Sequence, residues 1–436
     1  MQLRHLIPAT LALITLLAPG GAAAAEYVPG EVVVTYRDGT TRTEQLKVER
    51  SSGTDAEQPV AGAAKQLEIE DGESVRETLA ELRSDPRVAH AVPNYIAHAS
   101  TLIPNDPGFA QQWNLAGEFG IGMPEAWSLA RSRGAPGGRG ALVAVIDSGV
   151  AYRNKGRYRR APDLRKATFV PGYDFVDNDR FPDDIYGHGT HVTGTLAQAT
   201  NNGQGAAGIA YRTRIMPLRV LNRIGSGDSV SIARAIRYAG RRRADVINLS
   251  LDVPAEVGSW EIPEVISAVR YARSRGSVVV AAAGNAARTT VAYPARAGSV
   301  ISVGATTEHG CQADYSNSGS GLDIVAPGGG FDAPNDQTLW DLQHCNTGPP
   351  GRSIYQQTFI RGGRRFGLPS GYHGTSMATP HVAAAAALVI ATRRLGRNPS
   401  PAAVEAHLER TARDLGAPRR DELYGAGLLD VAAALR

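Results

Sequence analysis

Three side chains suited to nucleophilic catalysis are spread along the chain. Asp147 ends the apolar run ALVAVID, His188 opens the segment HGTHVTG, and Ser376 precedes a long alanine-rich stretch. A serine hydroxyl is a weak nucleophile, so it needs a base such as histidine to take its proton and a carboxylate to orient that base. These residue types predict an acyl-transfer site, provided that the fold brings them together.

The segment YGHGTHVTG contains two histidines, His188 and His191, whose spacing puts both on one face of a helix. The same spacing is compatible with half of a zinc site. Metal hydrolases usually add a glutamate base or a further ligand to such a helix, and this segment has neither. The spacing alone leaves two interpretations open: a zinc hydrolase, or one histidine that transfers protons while the other packs.

The elements that must position these residues alternate between strands and helices from about Leu102 onward. Short apolar runs include RIMPLRVL, ADVINLSL, SVVVAAAGN and VISVGAT, whereas SVSIARAIRYAGRR and IPEVISAVRYARSR have a helical period. This alternation predicts a three-layer α/β/α sandwich around a mostly parallel sheet. In such sheets catalytic groups collect where the strands end.

A smaller unit precedes this one. It begins with the strand-like run EYVPGEVVVTYRDGT, continues through a polar stretch over residues 41–64, and includes a helical pattern of Val75, Leu79 and Leu82. We expect a small α+β unit over residues 26–100, followed by the exposed linker HASTLIPNDP and a large domain over residues 101–436.

The first 25 residues have the charged, apolar and small-residue order of a secretory signal peptide. The alternative is a membrane anchor, but the apolar run is shorter than the roughly 18 residues that a spanning helix needs. No later run is apolar for long enough, so we expect an exported, soluble protein, extracellular or periplasmic, with no membrane partner. In an oxidising compartment Cys311 and Cys345 would form a disulfide, and two buried free thiols are the alternative.

Composition excludes one class of partner. The 436 residues are 42% hydrophobic and 20% charged, and the formal net charge of +4 comes from scattered arginines. We therefore expect a folded protein. The chain lacks the basic block interleaved with aromatic residues that would indicate nucleic-acid binding, so we expect no nucleic-acid partner.

Three segments, VAVIDSGV, HGTHVTG and GTSMATPHV, resemble the signature segments of the subtilisin-like serine proteases, in the order Asp, His, Ser. The resemblance extends from about Pro104 to the final GAGLLDVAAAL. It implies a monomeric endopeptidase that acts on polypeptides without a catalytic cofactor, through Asp147, His188 and Ser376. A relative without catalytic activity, retained only for binding, is the alternative outside enzymology.

The resemblance also implies roles around the triad. Asn285, which could otherwise be a simple turn residue, would donate a hydrogen bond to the oxyanion. The small unit would be a ferredoxin-like inhibitory propeptide, whose end would enter the active site before cleavage. Substrate would contact the following residues: Ser250, Leu251, Ala282, Ala283, Gly284 and Ala292. Where the family often has glycine, the chain has Asp252, and Ala292 replaces a glycine at the expected base of the first pocket.

Two structural calcium sites are implied in the same way, because carboxylate and carbonyl oxygens suit this cation. The first would combine residues distant in sequence: Asp106, Asp163 and Asn202. The second would use three acidic residues of one loop: Asp174, Asp179 and Asp183. Polar, solvated loops are the alternative at both places.

Overall fold

The computed structural model describes residues 27–60, 64–69, 74–95, 101–333, 345–361 and 365–436. The expected signal peptide, residues 1–25, lies outside this set. The chain divides into two compact units, Met1–Ala99 and Ser100–Arg436. In the part of the chain that the structure describes, no helix has the length and apolar character needed to cross a bilayer.

The N-terminal unit contains a four-stranded antiparallel sheet and two helices in its described residues. In chain order these are β1 (Tyr27–Tyr36), α1 (Arg42–Ser51), β2 (Thr54–Pro59), β3 (Ala64–Ile69), α2 (Val75–Ser84) and β4 (Val88–Tyr95). The spatial order β2-β3-β1-β4 is that of the ferredoxin-like fold, as predicted. Its core includes Val75, Leu79 and Leu82 of α2.

Residues 41–64, which the sequence marks only as polar, hold α1 and β2. Helix α1 begins with a capping box in which Thr41 and Glu44 satisfy each other's backbone N–H groups. It buries Val48 as its apolar contact with the core. A helix that depends on its cap and one apolar residue has too little periodicity to be found by pattern alone.

The C-terminal unit is built on an eight-stranded sheet whose paired strands all run parallel. The strands are β5 (Leu142–Asp147), β6 (Thr168–Phe169), β7 (Tyr173–Asp174), β8 (Arg214–Arg219), β9 (Val246–Leu249), β10 (Val278–Ala282), β11 (Ile301–Thr306) and β12 (Ile324–Pro327). Strand β5 lies between β8 and β9, so the order of the sheet reverses there. Ligands of open α/β sheets bind at such switch points, beyond the carboxyl ends of the strands.

Helices cover both faces of this sheet. They are α3 (Trp113–Ala116), α4 (Met123–Ser132), α5 (His188–Ala197), α6 (Ser229–Arg241), α7 (Pro263–Ser274), α8 (Thr375–Ala391), α9 (Pro401–Arg410) and α10 (Val431–Leu435). One core contains residues of α4, α5 and α8, and the other contains residues of α6 and α7. Alternate residues of β5 belong to these two cores. The three-layer prediction is therefore confirmed.

Three short 3₁₀ helices, Phe109–Gln111, Pro136–Gly138 and Pro162–Leu164, and the hairpin of β13 (Thr358–Arg361) and β14 (Arg365–Gly367) complete the described elements. Cys311 and Cys345 form a disulfide, as expected from the sequence, with 4.5 Å between their Cα atoms. Part of the segment between them, residues 334–344, lies outside the described residues.

Candidate active site

A carboxylate and an imidazole are joined at the carboxyl end of β5. His188 Nδ1 lies 2.8 Å from Oδ1 and 3.0 Å from Oδ2 of Asp147. The Asp147 side chain is fully buried, and its Oδ1 also accepts the Ser148 N–H at 2.6 Å. Because the carboxylate accepts a hydrogen bond from Nδ1–H, it favours the imidazole tautomer in which Nε2 carries no proton and is free to act as a base.

Gly189 allows the first turn of α5 to approach the end of β5 closely. A Cβ on Gly189 would collide with the carbonyl oxygen of Gly149 and would lie 3.1 Å from Asp147 Oδ1. A larger residue would push the first turn of α5 away from the end of β5. The glycine after His188 is therefore part of the geometry that places the imidazole on the carboxylate.

Asp184 organises the start of α5, and the sequence analysis missed it. Its side chain is buried, and it accepts five hydrogen bonds, from Ser148 Oγ, the N–H groups of Tyr186, Gly187 and Thr190, and Thr190 Oγ1, at 2.6 to 3.0 Å. These donors flank both members of the Asp147–His188 pair in sequence. An aspartate four residues before a helix-opening histidine was the available signal, because a carboxylate can satisfy unpaired N–H groups at a helix N-terminus.

The environment of His188 raises its pKa above the ordinary value. Burial alone would lower this pKa, but the negative charge of Asp147 and the hydrogen bond to it outweigh burial, and Asp184 adds to the effect. The imidazolium that forms when His188 accepts a proton is thus stabilised by two carboxylates.

His191 has a different environment, although it lies one turn away. Its side chain is fully buried, its Nε2 lies 3.0 Å from the carbonyl oxygen of Ile354, and its ring stacks on Tyr372 with 4.2 Å between centroids. Burial lowers the pKa of His191 to about 3. His191 is therefore a neutral packed residue, and its contacts do not favour the zinc interpretation.

Ser376 lies in the first turn of α8, beside the end of β9. Its Oγ donates to the Ser250 carbonyl oxygen at 3.1 Å, and Ser250 Oγ donates to the Ser376 carbonyl oxygen at 2.8 Å. The Ser376 hydroxyl therefore pairs with Ser250 and not with His188 in this structure. Catalytic hydrogen bonds of enzymes without substrate are often formed only when substrate binds.

Asn285 follows β10 and is fixed by the residue before Ser376. Its Oδ1 accepts the Thr375 N–H at 2.8 Å and the Thr375 hydroxyl at 2.9 Å. This amide orientation leaves Nδ2 as a donor near the N-terminus of α8, where the Ser376 N–H has no intrahelical acceptor. A Cβ on Gly374 would lie 3.7 Å from Asn285 Nδ2, so this donor is close to the start of α8, two residues before Ser376.

The predicted substrate residues fall into two groups. Ser250 and Leu251 line a cavity of about 380 Å³ together with His188 and Ser376. Four others are buried around the neighbouring end of β10: Ala282, Ala283, Gly284 and Ala292. Ala292 donates its N–H to the Ala283 carbonyl oxygen at 2.8 Å, and this hydrogen bond helps to fix the backbone of the segment after β10.

Comparison with known proteins identifies the family. Residues 138–427 match the model of the subtilase family, and residues 18–94 match the fervidolysin N-terminal prodomain. The chain belongs to the subtilase family. The prodomain match begins inside the expected signal peptide and continues through β4.

Characterised subtilases cover most of this chain. The thermophilic serine proteinase of Bacillus sp. (strain AK1) is 36% identical over 84% of this chain and 79% of its own. Thermitase of Thermoactinomyces vulgaris is 37% identical over 71% of this chain and 91% of its own. A protease structure from Pseudoalteromonas arctica, at 32% identity, has a TM-score of 0.61 over 76% of this chain and 98% of its own. This subtilase is accordingly a serine endopeptidase with an N-terminal prodomain.

The structure brings together the three residues of the first predicted calcium site in this subtilase. Asn202 donates its backbone N–H to Asp106 Oδ1 at 2.9 Å and its Nδ2 to Asp163 Oδ1 at 2.7 Å. Both carboxylates are buried, and no ion pair to either is formed within the described residues. Burial raises the pKa of Asp163, and Asp106 adds to this effect. Two buried carboxylates without a cationic side chain suit a hard cation.

Asp174 and Asp179 exchange two backbone hydrogen bonds, at 2.9 and 3.1 Å, but among the described residues the carboxylates of Asp174, Asp179 and Asp183 do not form a cluster that could hold one cation. Arg219 pairs with Asp174, and Arg153 pairs with Asp183 through both carboxylate oxygens. Asp179 accepts the Phe181 N–H within its own loop. Arginines already compensate the two buried charges, and sequence spacing alone cannot reveal such partners from distant segments.

Proposed function

We propose that this chain is a secreted preproprotein that matures into an endopeptidase with Asp147, His188 and Ser376 as its catalytic triad. The observation that carries the proposal is the bond between the Asp147 carboxylate and His188 Nδ1, because it leaves Nε2 unprotonated in the cavity that Ser376 also lines. Family membership supports the same reaction, since the characterised subtilases that match the chain are serine proteinases.

In the first half of the reaction, Ser376 Oγ attacks the carbonyl carbon of a peptide bond while His188 Nε2 takes the hydroxyl proton. The tetrahedral intermediate collapses as His188 gives that proton to the leaving nitrogen, the C–N bond breaks and an acyl-enzyme forms. In the second half, a water molecule takes the place of the amine: it loses a proton to His188 and attacks the acyl carbon. His188 then returns that proton to Ser376 Oγ as the acyl C–O bond breaks, which releases the carboxylic acid product and the free serine. The Asp147 carboxylate stabilises the imidazolium at each stage.

The carbonyl oxygen becomes negative in both halves. In the proposed mechanism Asn285 Nδ2 and the Ser376 N–H donate to it, and the positive end of the α8 dipole favours the same charge. Thr375 fixes Asn285 through two bonds, so the amide needs little reorganisation when the charge develops.

The N-terminal unit is proposed to inhibit the enzyme until the chain is cleaved. Its fold is compact and has its own core, and its sequence matches a prodomain family. The segment after β4, which would contain the cleavage site, includes residues 96–100, outside the described residues.

Digestion of casein by purified protein tests the proposed function. We expect digestion to stop with a serine-directed phosphonylating reagent and to continue with a zinc-selective chelator. The reverse pattern would favour the zinc hydrolase. A folded protein that digests nothing and does not react with the reagent would instead be a binding-only relative.

The rate should depend on pH through His188. Only the neutral imidazole can accept the Ser376 proton, and its pKa is raised, so kcat/KM should increase with pH through a midpoint above the roughly 6.5 of an unperturbed histidine. The measurement is the initial rate on an uncharged peptide from acid to alkaline pH, with circular dichroism at each pH as the control for folding. A profile that is flat, or has its midpoint below that of free imidazole, would contradict a His188 base paired to Asp147.

Calcium is proposed to stabilise the mature enzyme at Asp106 and Asp163, with the Asn202 amide turned to present its oxygen. A cation there would tie the segment before α3 to the loop after α5 and offset two buried charges. Binding would add about 2.7 kcal/mol of stability when free calcium is a hundredfold above its Kd. The bound ion would supply charge compensation only, since none of these residues contacts the triad side chains.

Chelation should therefore shorten the half-life at elevated temperature and leave the initial rate on a short peptide nearly constant. In the Asp106→Asn variant the half-life should lose most of its response to chelator. Glu118→Gln is the matched control, because it removes an exposed carboxylate outside both predicted calcium sites and should retain the response. Equal half-lives of the unmodified enzyme with and without chelator would remove the calcium assignment.

A further inference from the structure

Asp252 lies in the cavity of the candidate active site without a role in the proposed reaction. It follows β9, two residues after Ser250, and it lines the same cavity as His188 and Ser376. Two extended residues span at most about 7 Å. The Asp252 carboxylate is thus within reach of a long side chain whose own carbonyl lies at Ser376 Oγ.

The register of the sheet explains where the carboxylate points. Leu249 of β9 pairs with Ala281 of β10, and continuing this register puts Asp252 opposite Gly284. A Cβ on Gly284 would lie 3.0 Å from Asp252 Oδ2. The carboxylate therefore lies against the gap between the two segments that leave the sheet beside Ser376, and Gly284 leaves room for it.

Asp252 has no cationic partner among the residues that the structure describes. The nearby carboxylate of Glu256 does have one, because it pairs with Arg288 at 3.3 Å on the exposed part of the following loop. Asp252 is exposed at the cavity mouth, yet the surrounding protein desolvates it enough to raise its pKa. A cation brought in by substrate would compensate this charge.

We propose that Asp252 gives this protease a preference for lysine or arginine at the residue whose carbonyl is attacked. The inference rests on the proposed function, since it assumes that Ser376 is the nucleophile. A glutamate at the same substrate position should be disfavoured, because two carboxylates would repel each other at this position.

The test uses three peptides that are identical except for lysine, glutamine or glutamate before the scissile bond, with the cut site verified by mass spectrometry. For the unmodified enzyme we expect kcat/KM to be about tenfold or more higher for lysine than for glutamine, and lowest for glutamate. In Asp252→Asn the ratio of kcat/KM for the lysine peptide to kcat/KM for the glutamine peptide should fall close to one. Asp252→Gly, the smaller replacement, should give the same change if asparagine disturbs folding.

Glu256→Gln is the matched control, because it removes a carboxylate of the same loop at a paired, exposed position, and it should keep the original ratio. A ratio near one in the unmodified enzyme, or a ratio that survives both Asp252 variants, would overturn the role of Asp252 while leaving the protease function intact. Failure of the unmodified enzyme to cleave any of the three peptides or casein would overturn the proposed function, and the inference with it.

Discussion

Replacing Ser376 with alanine should lower kcat by about a millionfold, the loss known for subtilisin, a member of the same family, when its nucleophile is removed. Only one hydroxyl is lost, and the bond from Ser250 Oγ to the Ser376 carbonyl oxygen remains, so α8 should stay in place. The measurements are kcat on a peptide substrate and the molecular mass of the secreted product. If maturation is autocatalytic, the variant should also accumulate with its N-terminal unit attached.

The control for Ser376→Ala is Ser267→Ala, which removes an exposed hydroxyl from α7. It should retain full activity and label with the phosphonylating reagent, whereas Ser376→Ala should show no mass increase from that reagent. Undiminished activity of Ser376→Ala would overturn the mechanism. Normal processing of an inactive Ser376→Ala protein would show that another protease removes the N-terminal unit.

Replacing Asn285 with alanine should reduce kcat by about a hundred- to a thousandfold with little change in KM, as in subtilisin, since the donor acts mainly on the charged intermediate. The side chain has a second role that this variant also removes. Its Oδ1 accepts the Thr375 N–H and hydroxyl at the start of α8, so the loss of this cap should cost about 1 kcal/mol of stability.

Asn285→Asp separates the two roles. An aspartate keeps an acceptor for Thr375 but has no N–H for the oxyanion, and its charge opposes the one that develops on the substrate. We expect Asn285→Asp to keep more thermal stability than Asn285→Ala and to lose at least as much kcat. Unfolding by heat and steady-state kinetics on both variants provide the measurement. An effect confined to KM would mean that Asn285 only positions substrate.

The sequence was most informative where local chemistry and long apolar runs agree. Strand β5 and helices α6 and α7 lie close to their predicted positions because each buries a full face or stripe of apolar side chains. Helix α1 was missed because a cap and one buried valine hold it. Local motifs alone singled out Asp147, His188 and Ser376, since each residue of the proposed triad lies within a recognisable segment.

What the sequence could not supply depends on contacts between distant segments. Asp184 is surrounded by donors from the end of β5 and the start of α5, a fact that no local pattern contains. The ion pairs at the second predicted calcium site were invisible for the same reason: Arg219 reaches Asp174 from another strand. Asp252 was visible as a departure from the family pattern, but only its position opposite Gly284 indicates what its charge contacts.

Helix α8 has a consequence for the order in which this enzyme can become active. It is encoded in the last part of the chain, and it packs against β9, β10, β11 and β12 and against α5, all made earlier during synthesis. Contacts between residues so far apart in sequence close slowly because of the entropy of long loops. Most of the polypeptide must therefore be synthesised before Ser376 can reach the end of β9, where it contacts Ser250. A nascent chain that ends before α8 lacks the proposed nucleophile, so we expect incomplete chains to be unable to digest one another.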